Sequence, residues 1–83
     1  LLSINEVYTV AKEYIFETTI KFKDLLNDSR IVNTSKFITE LAYSFYTKHF
    51  SVHEISSTRK LDTDTRNFII NILNYYEEKA LIS

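Results

Sequence analysis

Two histidines four residues apart, His49 and His53, with Glu54 beside them, come nearest to a metal-ligand set in this chain. On an unbroken helix such a pair can share a zinc ion. Here Phe50-Ser51 reads as a break between them, and beyond Glu54 no third ligand is evident. No metal and no other cofactor is expected. Nucleophilic catalysis has no better footing. Cysteine is absent, and no serine stands in a nucleophile-elbow context with histidine and aspartate partners. Glu77 and Glu78 are sequence neighbours, so on a helix they point different ways. The chain is expected not to be an enzyme and to hold no small molecule.

The basic and amide residues raise a different possibility. Arg59, Lys60 and Arg66 form a local cationic cluster suited to phosphate contact. Asn67, Asn71 and Asn74 follow at i, i+4 and i+7, and asparagine can read adenine with two hydrogen bonds. Asp62 and Asp64 oppose this reading, because they would repel phosphate at the start of the same helix. They suit helix capping better. The formal net charge of −1 lacks the positive excess of an isolated nucleic-acid module. A solvated helix face is the plainer reading of these residues. Lys21, Lys23, Arg30 and Lys36 make a second cationic group, interrupted by Asp24 and Asp28.

Surplus hydrophobic residues point towards protein contact. Tyr8, Val10, Phe16, Tyr43, Tyr46, Ile70 and Tyr75 fall off the core-facing stripes of the helices expected below. So small a domain cannot bury every one of them, and contiguous exposed aromatic area marks an interface. Tyr43, Tyr46, Ile70 and Tyr75 are the candidate contact residues, for another protein or for a second copy of the chain. The alternative is that helices with neighbours on both sides are apolar over wider arcs.

Length and composition bound these readings. Eighty-three residues make one domain, 1–83, and with no cysteine its stability must come from packing. The hydrophobic fraction of 45%, with 14% aromatic, suffices for a core. Neither Gly nor Pro occurs. That excludes Gly-rich phosphate loops and dinucleotide fingerprints, and it disfavours tight primed hairpins. No apolar run reaches the length of a membrane span and no signal-peptide pattern opens the chain. An intracellular protein, cytoplasmic or nuclear, is expected. Without an initiating Met, the chain is expected to be an excised piece of something longer.

An all-α domain of about five helices follows, three longer and two short. Ser3-Ile4-Asn5-Glu6 reads as a capping box opening a helix that carries Val7, Ala11, Tyr14, Ile15 and Thr18 on one stripe and ends near Thr18 or Thr19. A short extended stretch precedes a short helix over Phe22–Asn27. Asn33 or Thr34 caps a longer helix to about His49, with Phe37, Ile38, Leu41, Ala42 and Phe45 inward. Another short helix covers Val52 to about Ser57. Asp62 or Thr63 caps the last long helix, to about Lys79, with Phe68, Ile69, Ile72, Leu73 and Tyr76 inward.

Sliding the chain against itself by 31 residues matches Phe37 with Phe68, Ile38 with Ile69, Leu41 with Ile72, Ala42 with Leu73, Phe45 with Tyr76 and Phe50 with Leu81. A shift of 30 matches Phe22 with Val52, Leu25 with Ile55 and Ile31 with Leu61. An internal repeat is expected, with units at about 20–50 and 50–82. The second unit has Val52 and Ile55 on a short helix, Leu61 closing a turn and Thr65-Arg66 opening a long helix, then Tyr76, a charged turn and Leu81-Ile82. In that pattern it resembles winged-helix and helix-turn-helix domains. The resemblance implies that Leu81-Ile82 starts a strand. It also implies that the last long helix, through Arg66, Asn67, Asn71 and Asn74, is the one that would enter a DNA groove. Ala80 stands where the pattern usually has Gly, and the chain ends at Ser83, where a wing would begin. The expected function is that of a non-catalytic, winged-helix-like interaction module from a larger chromosomal, transcriptional or translational protein. It would act mainly through protein–protein contact. Direct DNA or RNA binding and a self-associating helical bundle are the alternatives.

Overall fold

A computed structural model describes residues 3–82, with side chains for 3–81. The chain is all-α: α1 (Ile4–Lys12), α2 (Phe22–Leu26), α3 (Thr34–Thr47), α4 (Val52–Ser57) and α5 (Thr63–Ile82). Among the described residues extended pairing is limited to one antiparallel bridge, Ile15 to Ile20. No helix among them is long and apolar enough to cross a membrane.

The capping box at Ser3 forms as the sequence predicts. The Glu6 N–H donates to the Ser3 hydroxyl at 3.2 Å, and the Ser3 N–H donates to Glu6 Oε1 at 3.1 Å. The helix it opens ends at Lys12, well before the expected Thr18 or Thr19. Ile15 and Ile20 are both buried, and their pairing folds residues 15–20 into a strap. Phe16 N–H donates to the Thr19 carbonyl and Lys21 N–H to the Tyr14 carbonyl. The β-branched run Thr18-Thr19-Ile20 favours extended backbone over another helical turn, and Thr18 is exposed rather than inward. Tyr76 Oη donates to the Thr18 carbonyl at 3.2 Å and Lys79 Nζ to the Ile15 carbonyl at 3.0 Å, so α5 holds the strap down.

α3 is entered and left through positive φ without glycine. Asn33 has φ 55° and ψ −123°, the angles of the first central residue of a type II′ turn, which Gly ordinarily occupies. Ser35 N–H closes that turn on the Val32 carbonyl at 3.2 Å. The Asn33 side chain makes no capping bond. The Ser35 hydroxyl instead donates to the Val32 carbonyl and accepts from the Val32 N–H. At the far end His49, with φ 59°, is the left-handed residue.

α5 is the axis of the domain: α1, α3 and α4 pack on it, and α2 packs on α3. Leu25, Ile55, Phe68, Ile69 and Ile72 meet in one core with Val7, Ala11, Ile15 and Ile31. Each fully buried side chain of this size contributes about 1.5–3 kcal/mol over leaving it in water. The order of short helix, turn and long helix occurs in α2–α3 and again in α4–α5. Matched positions share an environment at Leu25 and Ile55, both wholly buried, and differ at Phe37, 61% exposed, against Phe68, 1%. Phe37 was expected inward. It lies at the edge of the α3 stripe, where no other element covers it.

The remaining boundaries fall within a residue or two of expectation, except at the C-terminal end. There α5 stays helical through Ile82, where the winged-helix resemblance implies a strand start, and Leu81 is largely exposed. Ser83 lies outside the described residues.

Candidate interaction surfaces

The cationic and amide residues divide between surface and scaffold. Arg59 and Lys60 are exposed in the turn between α4 and α5, and Asn67, Asn71 and Asn74 are all exposed along α5. Arg66 is half-buried: its Nη2 donates to the Leu61 carbonyl at 3.0 Å, bracing the turn, while its Nε is buried without a hydrogen-bond partner. Asp62 accepts from the Thr65 N–H at 3.3 Å, and hydrogen bonds from Thr65, side chain first and backbone second, hold its carboxyl below the usual range. It caps α5, as its position in sequence suggests. Asp64 and Glu78 are exposed on the same helix, so acids stand among the asparagines.

The four aromatic and aliphatic contact candidates are half-buried and packed against the core. Tyr43 stacks on Phe22 with centroids 5.1 Å apart, and Tyr46 lies 5.3 Å from the same ring. Tyr46 also meets Tyr76 edge-on at 5.8 Å. Tyr75 meets Tyr8 edge-on at 6.4 Å, with Lys12 Nζ 5.9 Å and Lys79 Nζ 5.2 Å from its centroid. Ile70 is half-buried on α5. Val10, also taken as surplus, is a core residue. These helices have neighbours on both sides and are apolar over wide arcs. An open groove of about 500 Å³ runs beside Tyr43 and Tyr46, between α3 and the segment from Thr19 to Asp24, with Lys21 and Lys23 at its edge.

The more exposed apolar surface lies on and around α3. Phe37, half-buried Leu41 and half-buried Phe45 follow each other at intervals of four, a single ridge on one helix face. Phe50, 37% exposed, stands edge-on to Phe45, and Val32, 46% exposed, precedes the helix. The spacing of this ridge is visible in sequence. What sequence cannot supply is whether a neighbouring element covers it.

A polar knot escaped the sequence reading entirely. Arg30 donates through Nε and Nη2 to Asp28 at 2.9 and 2.8 Å, and through Nη1 and Nη2 to Glu13, both at 3.1 Å. Tyr14 Oη donates to Asp28 Oδ2 at 2.6 Å. The knot fastens the end of α1 to the turn between α2 and α3. The Arg30 guanidinium and the Tyr14 hydroxyl hold the Asp28 carboxyl far below the ordinary carboxylate range. The same bond to Asp28 raises the Tyr14 phenol above its ordinary value.

The two histidines have separate tasks. His49 makes the turn after α3, whereas the His53 carbonyl accepts from the Ser56 and Ser57 hydroxyls within α4. Among the described residues no group of three or more His, Cys, Asp or Glu is placed to hold a metal ion. Comparison with protein-family models, with curated proteins and with solved structures gives no significant match.

Proposed function

We propose that this chain is a non-catalytic protein-interaction module whose contact surface is the outer face of α3. The observation that carries this reading is Phe37, 61% exposed at the head of the Phe37–Leu41–Phe45 ridge. Leaving a phenylalanine in water forgoes about 1.5–3 kcal/mol of burial, and a partner would recover it. Central aromatic anchors of this kind dominate interface energetics. The repeated order of short helix, turn and long helix supports keeping the description helix-turn-helix-like, and with it a place in a larger nucleic-acid-associated assembly. Benzoylphenylalanine at position 37 tests the reading. Irradiation in the native assembly should give protein adducts, and the same group at Asn71 should give few. Adducts from Asn71 and none from position 37 would overturn it.

Direct nucleic-acid binding is the second reading, favoured by the exposed Arg59 and Lys60 beside the exposed asparagine stripe. Its mark would be binding to duplex DNA or RNA that weakens steeply with salt. Affinity unchanged by Arg59→Ala and Lys60→Ala would exclude this surface.

A further inference from the structure

The apolar residues of the α3 region are symmetric about Leu41. Phe37 and Phe45 stand four positions before and after it, and Val32 and Phe50 nine positions before and after it. An isologous contact requires one patch that complements itself under a two-fold axis, and a palindromic ridge on a straight helix has that property.

Resting on the reading of the α3 face as a protein contact, we infer that its occupant is a second copy of this chain, paired antiparallel through α3 with the two-fold axis at Leu41. Leu41 then meets its own mate, and each Phe37 meets the partner copy's Phe45 position. The charges permit this register. Lys36, Glu40 and Lys48 lie at offsets −5, −1 and +7 from Leu41, so their symmetry mates are Tyr46, Ala42 and Thr34, and no ionised group is set against a like charge. A lysine or glutamate at any of those mates would have forbidden it. An unrelated partner would impose no such symmetry on the ridge.

The absence of cysteine makes the test clean. Antiparallel helices in contact bring dyad-related Cα atoms within reach of a disulfide, so Leu41→Cys should oxidise readily to a covalent dimer. Lys36→Cys, which faces Tyr46 of the other copy, should cross-link at least about tenfold more slowly. Sedimentation of the unmodified chain should show a reversible dimer, lost in Leu41→Glu with its helix content unchanged. A chain that stays monomeric to millimolar concentration, or cross-linking equal at positions 41 and 36, overturns the pairing. Photo-adducts from position 37 to other proteins, without any to this chain, also overturn it while leaving the contact reading standing. No adducts from that position would remove both.

Discussion

Phe50 stands edge-on to Phe45 with ring centroids 5.1 Å apart, and this contact completes a Schellman ending for α3. The Phe50 N–H donates to the Phe45 carbonyl and the His49 N–H to the Tyr46 carbonyl, the paired 6→1 and 5→2 bonds of that motif. His49 holds the left-handed position at φ 59°. A β-carbon there costs about 1–2 kcal/mol. His49→Gly should therefore stabilise the domain by about 1 kcal/mol, partly offset by the greater freedom of glycine in the unfolded chain. A thermal melt read by circular dichroism should rise by roughly 4–8 °C. An unchanged or lower midpoint would show that His49 makes compensating contacts.

Asn33 poses the same problem at the other end of α3. Its ψ of −123° is less favourable for a non-glycine residue than ordinary left-handed helix. Asn33→Gly should raise the melting midpoint, and because the two sites lie at opposite ends of the helix their gains should add. Asn33→Ala should lower it, since alanine keeps the β-carbon and lacks the local tolerance of asparagine for positive φ.

The knot around Asp28 makes the fold acid-sensitive. Its carboxyl titrates lower in the folded chain than in the unfolded one. The stabilisation is therefore present above the ordinary carboxylate value, about 4, and is lost as the pH falls below it towards the folded value. Glu6, Glu54 and Asp62, each lowered by its own capping bonds, act in the same direction. Melts between pH 6 and pH 2 should show the midpoint falling faster in the native chain than in Asp28→Asn. Parallel curves would remove Asp28 from the acid response. Tyr14, raised by the same bond, should work at the alkaline end, its contribution lost as the pH climbs through its folded value.

Leu25 and Ile55 occupy matched positions on the two short helices, and both are wholly buried. Leu25→Ala and Ile55→Ala should each cost about 2–5 kcal/mol in urea unfolding. A cost under about 1 kcal/mol at either would mean that its short helix is not anchored in the core.

Sequence carried the helices through their caps and periods: Ser3 with Glu6, Ser51 with Glu54, and Asp62 before α5 all mark true starts. The end of α1 was hidden because Tyr14 and Ile15 continue its apolar stripe at helical spacing. They are held instead by Asp28 and Ile20, fourteen and five residues away. Such partners leave no periodic trace. The knot was equally silent, since Glu13, Asp28 and Arg30 look like any scattered surface charges until the chain folds. Tyr43, Tyr46, Ile70 and Tyr75 looked surplus because a helical stripe assumes one neighbour per helix, whereas α5 has three. Phe37 is the reverse case, a residue with core spacing and nothing packed over it.

That last contrast allows the most direct measurement. Phe37 and Phe68 align in the repeat, yet one is 61% exposed and the other 1%. Unfolding of Phe37→Ala and Phe68→Ala by urea, at concentrations low enough to keep the chain monomeric, separates surface from core. Phe68→Ala should cost about 3–5 kcal/mol and Phe37→Ala within about 0.5 kcal/mol of nothing. Similar large losses at both positions would mean that Phe37 is part of the core, and the outer face of α3 would not be free for a partner.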